Sequence, residues 1–533
     1  MSRKRKKKGR RKRKMPSDTW FEINLDKTKT QIMDSRGFRS EHGAATTQVQ
    51  DMEAENLARR IKRLSEEVID IVEFKDKRYP VLRNENTGTM VAFNYDARSK
   101  SLEFLDSAGQ GALVFGKIPF KEALDNYVHA YVRMRAYEKI KEKQLTIDDL
   151  DKKIKESEKE AKRMDKTDII KFVDKHLKHL YPNGRCLIKI YHARGEQSKH
   201  LAEREAVMQG LFHPNLVHMY AHGKAARNGG NGGWFYNVQE FVPPISKTAE
   251  SRMNFKDRIG ITEQVLNAIT EALLPKRLVH RDIKPDNIFL FRISAEIPPK
   301  KRGLYKDPSG ERYKIGAKLG DTGLVKTLRT DKVTHQTQED IFFGTTEFAA
   351  PEDAKSALEM DARHKPSWRG DLYSTGASLY YYLTGLAPNQ PGEQNTNQMF
   401  MNLARGVHKP ARPSEMKKCV DYIEKQFDDK KIRKKALYYT DLVLAGMMQR
   451  DKMHRYHVPR NCIEDLCELK NGRKPKNIIQ ILKKNKIRPE EYIKEAFTHY
   501  NGNIAAKEYA DVDASKKRNS GRGLLGRFTG MFL

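Results

Sequence analysis

Short runs of mostly apolar residues, separated by polar turn residues, recur between about residue 71 and residue 241. The runs are rich in β-branched and aromatic residues and are bounded by Gly, Pro, Asn or Ser. Such runs, with turn residues on both sides, are typical of strands. We predict strands at 89–93, 101–105, 186–191, 216–220 and 234–241. The glycine-rich segment 229–233 is predicted to be the hairpin loop between the last two strands.

Apolar residues at helical spacing mark the other segments of the chain. Residues 54–69 predict an amphipathic helix, and 198–211 predict another helix between two strands. Residues 120–180 are rich in Glu and Lys and predict one or two surface helices inserted into the sheet region. After Pro243 and Pro244 the chain is predicted to be mainly helical to residue 468, with two or three short helices at 474–509.

These patterns predict an α+β protein with a small β-rich lobe followed by a larger helical lobe. A chain of 533 residues is long enough to bury a sizeable core in such lobes. The predicted units are a basic tail with a charged helix at 1–70, a β-rich lobe at 71–240 containing the helical insert at about 120–180, a helical lobe at 241–468, a helical extension at 469–510 and a second basic tail at 511–533.

The chain carries 102 Lys and Arg against 70 Asp and Glu, a formal net charge of +32. Residues 3–14 contain eleven basic side chains and no acidic one, so self-repulsion predicts a disordered segment. Such a segment is either a plain solvated tail, a tether to an anionic polymer or membrane surface, or a nuclear address. It lacks the aromatic residues and scaffold needed to recognise a nucleic-acid sequence.

The composition also excludes several classes of protein. No run approaches the roughly 18 apolar residues of a membrane-spanning helix, and the basic start has no apolar core behind it, as a secretory signal would. The four cysteines, at 186, 419, 462 and 467, form no CxxC pair, which argues against a disulfide framework or a structural zinc site. We therefore expect an intracellular, cytoplasmic protein, with a nuclear location only in a eukaryotic cell.

The segment 280–287, His-Arg-Asp-Ile-Lys-Pro-Asp-Asn, concentrates side chains that suit phosphate chemistry. Asp282 and Asn287 place two oxygen-bearing side chains on one loop, where one could accept a proton from a hydroxyl and the other could hold a hard cation. Lys284 between them would neutralise a transferring phosphoryl group. A second carboxylate, Asp321, lies between glycines that let the backbone approach a metal-bound phosphate.

These residues resemble the eukaryotic-type (Hanks-type) serine/threonine protein kinase superfamily. Residues 280–287 match its catalytic-loop pattern H-R-D-x-K-x-x-N at every fixed position, and residues 350–352 match its Ala-Pro-Glu. Asp321-Thr322-Gly323 stands where the family has Asp-Phe-Gly, so Thr322 replaces a Phe that packs beneath a helix. Asp371 resembles the buried Asp that braces the catalytic loop, and Arg455 resembles the late Arg that pairs with the Glu of Ala-Pro-Glu. The resemblance implies a bilobal kinase fold over about 100–460.

The resemblance is less regular in the β-rich lobe. Lys189 resembles the lysine that binds the α- and β-phosphates, although it could also be a lysine at a solvent-facing strand edge. Its acidic partner is either Glu203 or Glu205, and we choose Glu205 because Met208 and Leu211 then face inward. The backbone at Glu240 and Val242 resembles the hinge that binds adenine.

The glycine-rich loop of the family has the weakest counterpart here. Gly109 and Gly111 supply its first two glycines, but Val114 occupies the third position. The distance along the chain from Gly111 to Lys189 is also far longer than in the family. Either the helical insert separates the loop from Lys189, or this glycine cluster is an ordinary hairpin. Between Asn287 and Asp321 the chain is longer than usual too, and we predict an extended hairpin there.

By resemblance, the chain is expected to be an ATP-dependent serine/threonine protein kinase that transfers the γ-phosphoryl group to protein hydroxyls. The expected cofactors are ATP and Mg²⁺, with the metal held by Asn287 and Asp321. Catalytic roles fall to Lys189, Glu205, Asp282 and Lys284. The high positive charge favours an acidic protein substrate.

Three other functions remain open from the sequence. Thr322 and the irregular glycine cluster favour a pseudokinase scaffold tethered by the basic tail. A small-molecule phosphotransferase would lack the Ala-Pro-Glu segment that is present here. A basic nucleic-acid-binding protein with an incidental kinase domain is the third alternative.

Overall fold

The computed structural model describes residues 69–117, 185–327 and 345–498, each range with internal gaps. The longest of these gaps are at 192–198, 226–233, 295–304, 359–365 and 390–395. Several predictions lie outside the described residues: the basic tail and helix up to residue 68, the helical insert at 120–180, the tail at 511–533, and the residues Gly109 and Thr322.

Eight antiparallel strands between residues 69 and 240 form one sheet, in the order β1-β2-β3-β7-β8-β10-β9, with β6 also paired to β7. The strands are Ile69–Phe74 (β1), Lys77–Arg83 (β2), Met90–Phe93 (β3), Phe104–Asp106 (β6), Gly111–Lys117 (β7), Arg185–Tyr191 (β8), Met219–Lys224 (β9) and Phe235–Glu240 (β10). Two short strands, Tyr95–Asp96 (β4) and Ser101–Leu102 (β5), pair separately. The structure thus has the predicted β-rich lobe.

The first strands of this sheet curl back toward its last strand. Asn84, directly after β2, forms an antiparallel bridge with Ala225, directly after β9. The Asn84 amide also donates a buried hydrogen bond to the Tyr236 hydroxyl on β10, at 2.9 Å. Residues 69–93 are therefore an integral part of the lobe.

Three predicted boundaries in this lobe are wrong. The strand predicted at 216–220 begins only at Met219, because Leu216 and Val217 instead contact Leu319 in the other lobe, where the Val217 amide donates to the Leu319 carbonyl at 2.8 Å. The helix predicted to reach residue 211 has given way to a turn by 207–208. The helix predicted at 54–69 cannot include its last residue, since β1 begins at Ile69.

Beyond residue 241 the described chain is mainly helical, with small strand pairs near the junction of the lobes. The helices are Lys247–Ser251 (α1), Phe255–Ala268 (α2), Pro351–Leu358 (α3), Trp368–Thr384 (α4), Thr396–Ala404 (α5), Lys417–Gln426 (α6), Lys430–Met448 (α7), Pro459–Lys470 (α8), Lys476–Lys484 (α9) and Pro489–Ala496 (α10). The strands are Leu278–Val279 (β11), Ile288–Ser294 (β12), Tyr305–Lys306 (β13), Arg312–Leu319 (β14) and Lys326–Thr327 (β15).

The pairing of β12 with β14 is the extended hairpin expected between Asn287 and Asp321. Its two strands are antiparallel and in register over seven residues, from Ile288 opposite Leu319 to Ser294 opposite Tyr313. The hairpin therefore carries the chain directly from the 280–287 loop to Asp321.

Helix α4 lies at the centre of the helical lobe, because nearly all of its side chains are buried. Gly376 allows this packing: a Cβ there would come within 2.8 Å of the Met447 Cβ on α7. The helix ends at Gly385, whose φ of 83° is the left-handed conformation that favours glycine at a helix end. Helix α2 begins with a reciprocal capping box between Asn254 and Asp257.

Two helices between residues 474 and 498, α9 and α10, pack onto this lobe. Their residues Ile478, Leu482 and Tyr492 belong to the main hydrophobic cluster with α2, α4 and α7. Gln449 donates a 2.7 Å hydrogen bond to the Tyr492 carbonyl. None of the helices in the described ranges combines the length and the apolar character that a membrane crossing requires.

Candidate active site

Lys189 and Glu205 form a buried ion pair at the centre of the sheet. Lys189 Nζ lies 2.5 Å from Glu205 Oε1, and both side chains are almost fully buried. Lys189 sits on β8, opposite Leu113 of β7 and Asn237 of β10, which fixes its backbone on both sides. The structure therefore places Glu205 beside the lysine, whereas Glu203 is exposed.

Asp321 approaches the same lysine from the other lobe. Its Oδ1 lies 3.7 Å from Lys189 Nζ, and its side chain is 49% exposed. Burial lowers the pKa of Lys189, but the carboxylates of Glu205 and Asp321 together outweigh burial and raise that pKa above its ordinary value. The lysine is therefore a fixed positive charge next to an accessible carboxylate.

Asp282, Lys284 and Asn287 converge within their loop. Lys284 Nζ lies 3.0 Å from Asp282 Oδ2, and Asn287 Nδ2 donates to the same oxygen at 3.0 Å and to the Asp282 carbonyl at 2.7 Å. A single 3₁₀ turn, Pro285–Asn287, brings the Asn back to the Asp. Since the side-chain nitrogen Nδ2 of Asn287 donates to Asp282, the side-chain oxygen Oδ1 is left as an acceptor.

Thr345 also holds the Asp282 carboxylate, which the sequence analysis missed. Its amide and hydroxyl donate to Asp282 Oδ1 at 3.0 and 2.9 Å, and its hydroxyl accepts from Lys284 Nζ at 2.7 Å. Thr345 lies just before the Ala-Pro-Glu segment, but its contact with Asp282 spans 63 residues. In the sequence, the only indication of this role was that Thr345 carries a hydroxyl close to the Ala-Pro-Glu motif.

Asp371 on α4 fixes the start of the catalytic loop. Its carboxylate accepts from the amides of His280 and Arg281 at 2.8 and 2.9 Å. Burial raises the pKa of Asp371 to about 7, although those two amides oppose the shift. The loop needs this support, because Arg281 has a φ of 71°, in the left-handed region that costs free energy outside glycine.

His280 and Gly320 link the catalytic loop to Asp321. Burial lowers the pKa of His280, so the ring is neutral, and its Nε2 donates to the Gly320 carbonyl at 3.1 Å. The Gly320 amide donates to the Asn287 carbonyl at 2.9 Å. Asp321 itself has a φ of 52°. Asn287 and Asp321 are thereby held in adjoining backbone segments.

The oxygen groups at this junction suit a hard cation. Mg²⁺ usually takes only one or two carboxylates from a protein and completes its coordination with phosphate and water. In the described ranges no group of three or more His, Cys, Asp and Glu side chains is arranged to hold a metal ion by itself. The side-chain oxygen Oδ1 of Asn287 and the half-exposed carboxylate of Asp321 match the one or two protein ligands that Mg²⁺ usually takes.

The structure places Gly111 close to Lys189. Gly111 begins β7 opposite Tyr191, and Leu113 lies opposite Lys189 on the same pair of strands. The first residue of β7 is therefore two positions along the strand from the residue opposite the lysine, and Gly109 lies outside the described residues. The long insert separates β7 from β8 along the chain and leaves them neighbours in the sheet.

Glu240 is the last residue of β10, and Val242 lies in the segment that links the two lobes. The Glu240 amide already donates to the His218 carbonyl at 2.8 Å, so an adenine contact at this residue would use its carbonyl. The backbone amide of Val242 makes no hydrogen bond within the described part of the chain.

The Glu240 side chain forms a second buried ion pair, which the sequence analysis did not predict. Its carboxylate lies 2.8 Å from the ammonium of Lys318 on β14, and both side chains are almost fully buried. Burial raises the pKa of Glu240, and Lys318 opposes that shift. The pair joins the end of β10 to the strand that leads into Asp321.

Replacing Lys318 with Met is expected to lower the free energy of unfolding by about 3–5 kcal/mol, because Glu240 would be left as an uncompensated buried charge. Denaturant unfolding measures the change. Lys314→Met, an exposed position on the same strand, is the matched control and should leave the midpoint unchanged. Equal midpoints for the two variants would contradict the assigned role of the pair.

Glu352 and Arg455 are joined as expected for the Ala-Pro-Glu segment. Both carboxylate oxygens of Glu352 accept from the Arg455 guanidinium, at 2.6 and 2.7 Å. This bidentate contact ties the start of α3 to the turn between α7 and α8.

Comparison with known proteins agrees with this geometry. A model of the protein kinase domain matches residues 183–465, just over half of the chain. The serine/threonine-protein kinase PrkC of Bacillus subtilis is 28% identical over 182 residues, and the serine/threonine-protein kinase Pkn1 of Myxococcus xanthus is 28% identical over 216 residues. The serine/threonine-protein kinase PknA of Mycobacterium tuberculosis is 28% identical over 182 residues.

These matches are partial for both partners. They cover 33%, 39% and 33% of this chain, and 22%, 26% and 35% of PrkC, Pkn1 and PknA. The chain therefore spans about a third of its relatives' length or less.

Proposed function

The chain belongs to the protein kinase domain family, and from this premise we propose that it is an ATP-dependent kinase of serine and threonine hydroxyls in proteins. The observation that carries the proposal is the convergence of four side chains from both lobes. Lys189 lies 3.7 Å from Asp321, and the backbone of Asn287 joins the Asp321 segment to the loop that holds Asp282.

ATP and Mg²⁺ are the cofactors that this family uses, and the residues present fit them. Asn287 and Asp321 would hold the metal, and Lys189 would bind the α- and β-phosphates. When bound, Mg²⁺ supplies positive charge that neutralises the phosphates during transfer. The carbonyl of Glu240 and the amide of Val242 would bind adenine, with Gly109 and Gly111 beside the phosphates.

The chain's own groups then perform three tasks. Glu205 holds the Lys189 ammonium in place from inside the sheet. Asp282 orients the substrate hydroxyl and accepts its proton at the carboxylate. Lys284, already bound to Asp282 and Thr345, offsets the negative charge that moves toward the hydroxyl. This division of labour follows the need of phosphoryl transfer for positioning and charge neutralisation.

Autophosphorylation with radiolabelled ATP and Mg²⁺ tests the proposal, by comparing the full chain with its Asp321→Ala variant. The full chain should incorporate label, and the variant should incorporate little or none, because it lacks a metal-binding carboxylate. Asp428→Ala, which removes an exposed carboxylate between α6 and α7, serves as the control. A full chain that binds nucleotide but transfers no phosphate would instead favour the pseudokinase scaffold.

The substrate and the location are further parts of this proposal. The net charge of +32 favours acidic protein substrates, and residues 3–14 would tether the enzyme to an anionic polymer or membrane surface inside the cell, in the cytoplasm or, in a eukaryotic host, the nucleus. Salt-dependent binding to anionic vesicles or to polyanions, with and without residues 1–15, tests the tether.

A further inference from the structure

Glu205 is held by more than its ion pair with Lys189. While its Oε1 accepts from Lys189, its Oε2 accepts from Asn237 Nδ2 at 2.8 Å. The same Asn237 nitrogen donates to the Tyr191 hydroxyl at 2.7 Å. Asn237 and Tyr191 are both 0% exposed. The four side chains form one buried polar cluster beneath the helical turn that carries Glu205.

The sheet places these groups on one face. Asn237 on β10 lies directly opposite Lys189 on β8, and Tyr191 follows Lys189 by two residues. Side chains two apart on a strand, and those directly opposite on neighbouring strands, share a face. The Lys189 ammonium also lies 5.4 Å from the centroid of the Tyr191 ring, within the range of a cation–π contact.

Asn237 is costly for the stability of the sheet. Its Oδ1 is buried and has no hydrogen-bond partner within the described part of the chain. A buried amide oxygen without a partner costs free energy that an apolar side chain of the same size would not. The unpartnered oxygen is a cost that an apolar side chain would avoid, whereas the hydrogen bond to Glu205 gives the asparagine a role at the site.

Tyr191 is the second support of the cluster. Burial, and after it the nearby Glu205 carboxylate, raise the pKa of Tyr191 above its ordinary value, so the phenol is neutral. A neutral hydroxyl can accept from Asn237 without adding charge to the cluster. The position of the Asn237 amide is thereby fixed by the tyrosine on one side and the glutamate on the other.

We propose that Asn237, supported by Tyr191, is a positioning residue that fixes the orientation of the Glu205 carboxylate and, through it, the direction of Lys189 toward the nucleotide phosphates. The inference rests on the proposed function, because it assigns Lys189 to phosphate binding. With one carboxylate oxygen bound to the sheet, Glu205 keeps the other turned toward the lysine. The Lys189 side chain is then already oriented by Glu205 before nucleotide binds, which lowers the entropic cost of binding.

The test is Asn237→Leu, which keeps the size of the side chain and removes both hydrogen bonds. The KM for ATP is expected to rise about 10-fold with kcat within about 3-fold, since phosphate binding acts on the ground state and the transition state alike. The thermal midpoint should fall by only a few degrees, because loss of the unpartnered Oδ1 partly offsets the buried donor that Glu205 Oε2 loses. Kinetics are therefore measured well below that midpoint, where a raised KM in the folded variant reports lost positioning and not loss of fold.

A double-mutant cycle with Glu205→Ala tests whether Asn237 acts through Glu205. In that background, Asn237→Leu should change neither the KM for ATP nor the dissociation constant of a fluorescent ATP analogue. Tyr236→Phe is the matched control: it removes a buried hydrogen bond from the adjacent residue of β10, to Asn84, and should lower the midpoint without changing the KM.

An unchanged KM in Asn237→Leu, or an equal effect of that change with and without Glu205, would overturn the proposal. Binding of the ATP analogue separates this failure from failure of the proposed function. If the full chain binds the analogue but transfers no phosphate, the proposed kinase activity is wrong. The dissociation constants of the same variants for the analogue then still decide the role of Asn237. A full chain that binds no nucleotide overturns both.

Discussion

Replacing Asp282 with Ala is expected to lower the turnover of phosphate transfer by about 10²–10⁴-fold, the range for a positioned acid–base group. The carboxylate is fixed before substrate arrives: Thr345 donates twice to Oδ1, while Asn287 and Lys284 contact Oδ2. Alanine removes the proposed acceptor of the substrate proton and leaves those donors in place. Radiolabel transfer to protein at saturating ATP measures the loss.

Asp286→Ala is the matched control for this prediction. Asp286 is an exposed carboxylate in the same loop, four residues from Asp282, and its removal should leave turnover within about 2-fold because its side chain faces solvent. Thermal unfolding of both variants shows whether the loop remains folded. Equal turnover for Asp282→Ala and the unaltered chain would refute the assignment of Asp282 as the proton acceptor.

The loop around Asp282 was predictable because its residues are close in sequence. Asp282, Lys284 and Asn287 lie within six positions, so their spacing alone brings them together when the segment turns. The partner of Lys189 was harder to identify. Glu203 and Glu205 lie on the same short helical segment, and only the packing of that segment on the sheet decides which one faces inward.

The missed contacts join residues that are far apart in the chain. The Lys318–Glu240 pair spans 78 residues, and the contact from Thr345 to Asp282 spans 63. None of these positions lies in a pattern that distinguishes a buried charge from a surface one. The predicted start of the strand at 216–220 was wrong for the same reason. Leu216 and Val217 pair with Leu319, about a hundred residues later, and tertiary pairing overrides local preference.

The two lobes differ in how the site is anchored. In the sheet, Lys189 and Glu205 are held by a buried polar cluster that includes Asn237. In the helical lobe, the backbone of the catalytic loop is held by the Asp371 carboxylate. Lys189 and Asp321 meet at 3.7 Å between these two anchors. The contact between the lobes at the site is therefore electrostatic, on rigid supports, as charge neutralisation of phosphates requires.

Replacing Arg455 with Met is expected to lower the free energy of unfolding by about 3–5 kcal/mol, because it leaves Glu352 as an unpaired buried charge. Arg455 is 0% exposed and donates to the carbonyls of Gln449 and Arg369, at 2.7 and 2.8 Å, as well as to Glu352. Methionine has a similar length but no donors. With about 2–4 °C per kcal/mol for a domain of this size class, the thermal midpoint should fall by roughly 10 °C.

The pH dependence of this loss identifies Glu352 as its source. Burial tends to raise the pKa of Glu352, but Arg455 outweighs burial and holds that pKa below its ordinary value of 4.5. The ion pair therefore stabilises the folded state above pH 4.5, and this stabilisation is lost as the pH falls through the lower folded-state pKa. In Arg455→Met the main opposition to burial is gone, and only a backbone amide and Lys452 still lower the pKa of Glu352. Glu352 therefore takes up a proton more readily, and the difference in unfolding free energy from the unaltered chain should narrow on acidification.

Arg488→Met provides the control, because Arg488 pairs with Glu491 on an exposed surface where solvent screens the charges. Its unfolding midpoint should match that of the unaltered chain at every pH. An Arg455→Met midpoint that also matched would show that Glu352 can be solvated or protonated at no cost. A deficit independent of pH would assign the loss to the carbonyls of Gln449 and Arg369, because backbone acceptors do not titrate.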